Sequence, residues 1–206
     1  MFILTRSEPL ENCKDNVYRV YDADLEAKHL EAGHQRYERR YQIKDKHKVF
    51  TIVCPEYRKD AICAEPIVII PVFYVPGRPY PIYVYLFAID LYSSNPKKSQ
   101  RWAAGETRKH FGLETFAHTT LGRALKAFVQ NISETASEQK EADAMLPDPS
   151  VGEKPSFPKT QATAGLRKQA AQLLGGLLAK GNRKQSIDAG CRLAKQWYAE
   201  HRRLLL

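Results

Sequence analysis

The chain lacks any long unbroken apolar run. Its most apolar stretch, residues 66–92, is interrupted by five prolines and a glycine, whereas a membrane helix needs about 20 consecutive apolar residues. The opening MFILTRSEPLENCKDN has four apolar residues before polarity sets in, too few for the apolar core of a secretory signal. Cysteine is scarce: of the four, Cys13, Cys54, Cys63 and Cys191, no two stand at C-x-x-C spacing. The expected setting is cytoplasmic, associated with the nucleoid, with the cysteines as free thiols or metal ligands rather than disulfides. No glycine-rich phosphate loop, G-x-S-x-G or H-E-x-x-H is present. Beyond residue 154 the acids are only Asp188 and Glu200, so no set of three carboxylates stands ready to hold catalytic metal ions on a folded core. These absences predict a protein that is not an enzyme and acts by binding.

Positive charge is what the chain has in excess. Net charge is +9 over 206 residues, a balance that favours an anionic partner, nucleic acid above all. The charge is uneven. Residues 36–59 carry 8 Lys/Arg against 3 Asp/Glu, residues 97–130 carry 7 against 2, and residues 159–206 carry 10 against 2. Residues 1–35 and 133–154 are net acidic. Basic blocks separated by acidic ones suit several nucleic-acid-touching elements on one frame.

The expected fold class is α+β, in four segments. Residues 1–79 form an N-terminal β-hairpin or ribbon region, 80–132 a helix-turn-helix domain, 133–164 a flexible linker and 165–206 a basic helical tail. Within the first, residues 1–35 read as irregular apart from a short helix at DADLEAKHLEAG. RYERRYQI and KVFTIVC then flank the polar KDKH as a hairpin. PIVIIPVF is a third extended run, which Pro66 and Pro71 assign to an edge or a bend. Glu38 and Glu56 on the hairpin are read as solvated. Pro81 opens an apolar element, IYVYLFAIDLYSS, that reads as a helix with Ile82, Leu86 and Ile89 in phase, or as a buried strand.

SQRWAAGETRKHFGL follows, a helix with Ser99 as its N-cap and Gly112 as its C-terminal stop. A second helix runs from about Thr119, read as its N-cap, to Gln130, anchored by Leu121, Leu125 and Phe128. Its exposed candidates for reading DNA are His118, Thr119, Thr120, Arg123 and Lys126. Arginine pairs bidentately with guanine and threonine meets a thymine methyl or a phosphate. Lys97, Lys98, Arg101, Arg108 and Lys109 surround the first helix as phosphate clamps. The link GLETFAH is longer than the usual three- to four-residue turn, and Phe116 is placed to tuck under it. The competing reading is a helical hairpin with a solvated charged face.

The order HQRYERRYQI, KVFTIVCPEY, IIPVFYVPGRPYPIYVYLFAIDLY, then WAAGETRKHFGLETFAHTTLGRALKAF, resembles the N-terminal region of bacterial insertion-element transposases and transposase-like proteins, over about residues 33–130. In that family a metal-binding ribbon with C-x-x-C knuckles precedes a helix-turn-helix. The resemblance implies binding to double-stranded DNA, typically element ends. Tyr57 stands where the family's second knuckle cysteine would fall, so zinc is disfavoured. A tetrahedral site would have to be assembled from Cys13, Cys54, Cys63 and His34 or His29. Cys54, at the end of an apolar strand, reads better as a small core residue.

The tail has three readings: a second phosphate contact through Arg167, Lys168, Arg183, Lys184, Arg192, Arg202 and Arg203; a homodimer interface through Leu173, Leu174, Leu177, Leu178, Leu193 and Trp197; or helices packed back on the domain. No membrane partner is expected. The alternative to DNA binding is a protein-interaction module whose basic tail oligomerises or docks on an acidic partner.

Overall fold

The computed structural model describes residues 2–4, 10–13, 16–46, 48–60, 66–143 and 159–206, with side chains described for 16–46, 48–60, 66–134 and 164–206. Among these residues the fold is α+β, with a six-stranded mixed sheet and six helices. No described helix is long and apolar enough to cross a membrane. The chain divides into two units, Met1–Ile82 with Phe111–Glu114, and Tyr83–His110 with Thr115–Leu206.

The first unit is built on a hairpin. β4 (Gln35–Asp45) and β5 (Lys48–Arg58) pair antiparallel without a bulge, from Gln35 opposite Arg58 to Asp45 opposite Lys48. The turn is tight, with Lys46 at φ 54°, the left-handed conformation that two-residue hairpin loops demand. The sequence expectation of a hairpin holds, with a shorter link than KDKH. Along β4 the even-numbered residues 36–42 are exposed and the odd-numbered ones half-buried or buried, the alternation of a strand with one face covered.

The other edge of β5 is shared. β3 (Val17–Val20) runs parallel to it at Thr51–Val53, and β6 (Ile67–Ile70) antiparallel to it at Glu56 and Tyr57. β2 (Leu10–Cys13) continues the sheet beyond β3, and β1 (Phe2–Leu4) beyond β6. Two expectations are corrected here. Residues 1–35 are not irregular: they supply three strands, each only three or four residues long, too short to show a period of two. β6 is not an edge strand, because β1 covers it, and Pro66 and Pro71 flank the strand rather than interrupt it. The short helix is present as α1 (Ala23–Glu31), capped by Asp22, whose carboxylate accepts from the Leu25 amide at 3.2 Å.

Glu56, expected in solvent, is 1% exposed. Arg39, from the opposing strand, and Arg58, two residues on, lie on its face of the sheet, with Arg58 Nε donating at 2.5 Å. Burial pushes the carboxyl pKa up, but hydrogen bonds and charge from Arg58 and Arg39 outweigh it and leave it below its ordinary value. Glu38 is exposed as expected and pairs with Arg19 at 3.3 Å.

The second unit is helical, and α2 (Ile82–Ser94) is its centre. Tyr83, Val84, Tyr85, Leu86, Phe87, Ala88, Ile89 and Asp90 are all buried. A helix apolar on every side belongs inside a bundle, which decides the helix-or-strand ambiguity: no single face had to be reserved for solvent. α3 (Gln100–Phe111) begins at the expected cap, with the Trp102 amide donating to Ser99 Oγ at 3.2 Å, and ends before Gly112 at φ 65°.

α4 (His118–Asp143) is longer than expected. Its start is set by Ala117, whose carbonyl accepts from Thr120 and Leu121, so Thr119 is a first-turn residue and not the N-cap. Of the expected linker 133–164, residues 133–143 continue α4, 159–164 belong to α5 (Lys159–Leu174), and 144–158 lie outside the described residues. Ala, Glu, Gln and Lys dominate 135–142, and these are strong helix formers even without an apolar stripe.

α6 (Arg183–His201) opens with a reciprocal capping box between Asn182 and Gln185. It crosses α2 at Gly190, where a Cβ would lie 2.7 Å from Tyr83 Cβ and 2.9 Å from its Cα. Only glycine permits that approach. The last residues return to α4, with Asn131 donating to the Leu205 carbonyl at 3.2 Å.

Candidate nucleic-acid interface

On α4, Leu121, Leu125 and Phe128 are buried to 1% exposure or less, together with Ala124. Thr119, Arg123 and Lys126 are exposed, and His118 and Thr120 half-buried. Spacings of four and three residues put Thr119, Arg123 and Lys126 on one stripe opposite the anchors. On α3, Ala103, Ala104, Thr107 and Phe111 face inward, while Arg101, Arg108 and Lys109 are exposed, as are Lys97 and Lys98 before it. All ten predicted contact residues are therefore reachable from solvent. Two have local partners: Lys109 pairs with Glu106 at 2.8 Å, and the Lys98 ammonium lies 5.5 Å from the centre of the Trp102 ring. Among the described residues, Arg101, Arg108, Arg123 and Lys126 have no carboxylate within ion-pairing distance.

Gln100, the first residue of α3, sits against Gly122 in the second turn of α4, 3.2 Å from where a Cβ would be. That contact brings the Lys97–Arg101 end of α3 toward Arg123. Arg108 lies seven residues further along, about 10 Å at 1.5 Å per residue. The arrangement departs from a helix-turn-helix, where a three- or four-residue turn sets the end of one helix beside the start of the next. Here residues 112–117 form the link. Phe116 is buried as expected, its ring 5.9 Å from that of Tyr85.

Arg167 is corrected from phosphate contact to internal clamp. Its guanidinium lies 4.0 Å over the Tyr92 ring and donates to the carbonyls of Asn95 and Lys98, the latter at 3.1 Å. It thereby pins the α2–α3 turn that carries Lys97 and Lys98. The tail leucines divide: Leu174 and Leu178 are buried within the unit, Leu193 and Trp197 are half-buried, and Leu173 and Leu177 are 50% and 69% exposed. Lys168, Lys184, Arg192, Arg202 and Arg203 are exposed.

Of the weak metal-ligand candidates, only Cys54, His29 and His34 have described side chains. Cys54 is wholly buried, and burial pushes its thiol pKa up to about 12, so the thiolate a metal needs is disfavoured. The Cys13 side chain and Cys63 lie outside the described residues. His34 and His29 meet edge to face at 5.3 Å, with His34 Nδ1 hydrogen-bonded to the His29 carbonyl. No described group of three His, Cys, Asp or Glu could hold an ion.

Sequence reasoning passed over two polar sites beneath the helical surface. Asp90, fully buried in α2, accepts from the amides of Gly176 and Leu178 at 2.8 Å and Ala179 at 2.9 Å. It holds the Gly175–Gly181 turn between α5 and α6. The signal was available: a lone carboxylate in an otherwise apolar helix must find donors. His110 stacks on Phe87 with ring centres 4.2 Å apart and meets Ser186 Oγ at 3.1 Å. Ser186 is fully buried with carbonyls of Leu178 and Asn182 at 2.9 Å. The direction of the His110–Ser186 hydrogen bond depends on the imidazole tautomer. No protein-family model, curated protein or solved structure matches this chain.

Proposed function

We propose that the protein binds double-stranded DNA through the exposed basic faces of α3 and the first three turns of α4, without catalysing a reaction on it. The observation that carries this is the stripe Thr119–Arg123–Lys126. Two cations and a hydroxyl stand on a helix whose opposite face, Leu121, Leu125 and Phe128, is locked into the core. A rigid helix presenting unpaired cations suits a groove, and the Lys97–Arg101 end of α3 adds cations to the same side for phosphates. The reading keeps from the transposase resemblance the placement of the DNA-facing helix at about 118–130, and assigns no role to zinc.

The test is equilibrium binding to duplex DNA across a salt series. Affinity should fall steeply, the logarithmic slope being about −0.9 per phosphate neutralised. Arg123→Ala with Lys126→Ala should weaken binding at least tenfold and reduce the slope by about two. An unchanged affinity removes α4 from the interface. A second reading rests on Leu173 and Leu177, exposed beside the cations of the tail: a partner or a second copy docks there. Leu177→Glu should then abolish that association and leave DNA affinity intact.

A further inference from the structure

Among the described residues no strand pairs with the edge of β4 away from β5. Lys44 directs its amide outward, to the Pro79 carbonyl at 2.7 Å, and Thr51, opposite Gln42, directs its own outward on the far side, to the Asn16 carbonyl at 2.9 Å. The phase of the ladder is thereby fixed: with no bulge, the amides and carbonyls of Arg36, Glu38, Arg40 and Gln42 also point away from β5. Among the described residues no backbone group meets them, and all four residues are exposed. An edge of this length is a template for another strand.

We infer that β4 pairs antiparallel with β4 of a second copy of this chain, about a two-fold axis at Arg39. The charge order along the edge selects both the occupant and the register. Outward groups must meet outward groups, so the axis falls on a residue and even-numbered positions face one another. An axis at Glu38 opposes Glu38 to itself and Arg36 to Arg40. An axis at Arg40 opposes Arg40 to itself and Arg36 to Lys44. An axis at Tyr41 calls on Lys44, whose amide is already engaged by Pro79, and an axis at Tyr37 calls on His34, whose amide is already engaged by the His29 carbonyl. At Arg39, Glu38, which also pairs with Arg19 of its own chain, faces Arg40 twice, and Arg36, paired with Glu26 of its own chain, faces Gln42 twice, with no like charges opposed on the exposed face. Arg39 meets its own copy on the other face, where it shares Glu56 with Arg58. Directly opposed unlike charges favour a strand pair and like charges disfavour it. Charged side chains usually keep an edge from pairing; here their order excludes neighbouring registers and admits this one.

Mass measurement by sedimentation on the full chain at micromolar concentration tests the inference. Wild type should run at twice 23.5 kDa. Glu38→Arg and Arg40→Glu should each weaken the dimer at least tenfold, and the two together should restore it, because the swapped pair is again complementary. Arg40→Pro, which removes only an outward amide, should also dissociate the dimer while circular dichroism stays native. A monomeric wild type overturns the inference. So does a dimer indifferent to Glu38→Arg, or a double variant no better than the singles. A dimer broken by Leu177→Glu but not by Glu38→Arg would place the interface on the C-terminal helices instead.

Discussion

Glu56 in the sheet unit and Asp90 in the helical unit are both cut off from water, yet they are satisfied in opposite ways. Glu56 is held by two arginine side chains, Arg39 at 41% and Arg58 at 27% side-chain exposure. Asp90 is held by three backbone amides of one turn, with Ser94 Oγ at 3.4 Å as a further donor. Side-chain partners can swing into solvent when their acceptor is lost. Backbone donors in a tight turn cannot. The same buried charge is therefore a replaceable bond in one unit and a keystone of chain geometry in the other.

The largest effect follows at Asp90. Asp90→Ala strands the buried amides of Gly176 and Leu178 and the half-buried one of Ala179, at about 1–3 kcal/mol for each unsatisfied buried group, so a loss of roughly 2–6 kcal/mol is expected. Chemical denaturation should show it in the helical unit. Asp90→Asn should fall in between, since one amide oxygen replaces two carboxylate oxygens that together accept from three amides. A small change in Asp90→Ala would mean the turn rearranges freely, and the contrast with Glu56 would dissolve.

Gly190→Ala comes next. The added Cβ meets Tyr83 backbone and Cβ rather than the tip of a flexible side chain, so α6 must move off α2. Overpacking of that kind costs about 1–3 kcal/mol, against the ~1 kcal/mol that alanine gains over glycine at an ordinary helix site. Glu56→Ala should cost less, about 1–2 kcal/mol, because both arginines retain access to water. If Glu56→Ala proves as damaging as Asp90→Ala, the arginines are fixed in place and the two carboxylates are equivalent.

How much of this was legible differs between the units for a physical reason. The β4–β5 hairpin announced itself because one exposed face gives alternation, and α4 because one exposed face gives a stripe of Leu121, Leu125 and Phe128. Elements buried on all sides, or only a few residues long, carry no such period. β1, β2 and β3 are too short to alternate, and α2 is apolar throughout, so Ile82, Leu86 and Ile89 in helical phase after Pro81 left a buried strand as a competing reading. The exposed cations of the candidate interface were readable one by one. Arg167 was not: nothing in its sequence neighbourhood distinguishes a cation lying over Tyr92 from one that faces solvent. Glu56 failed in the same way, since its neutralising partner Arg39 is 17 residues away and its burial depends on the assembled sheet.

The smallest effect comes from protons and divides the units by pH rather than by position. His29, buried against Tyr57 in the sheet unit, is held below its ordinary pKa by burial, then by His34 and Lys28. His110, in the helical unit, is held below its own by burial, then by Arg183. Each therefore favours folding in its neutral form. That contribution is complete above the unfolded value near 6.5 and is lost as pH falls through the lower folded value. Glu56 has the same sign in a more acidic window: its contribution is intact above the ordinary carboxylate range and is lost only as pH falls through its depressed value. Melting temperature should thus decline in two stages, from about pH 6.5 downward and again below about pH 4.5. His110→Gln, which keeps a polar group toward Ser186 but cannot titrate, should flatten part of the first stage and leave the second untouched. A melting temperature that is level from pH 8 to pH 5 would mean that neither imidazole is buried neutral, and that the sheet and helical units share their only acid sensitivity through carboxylates.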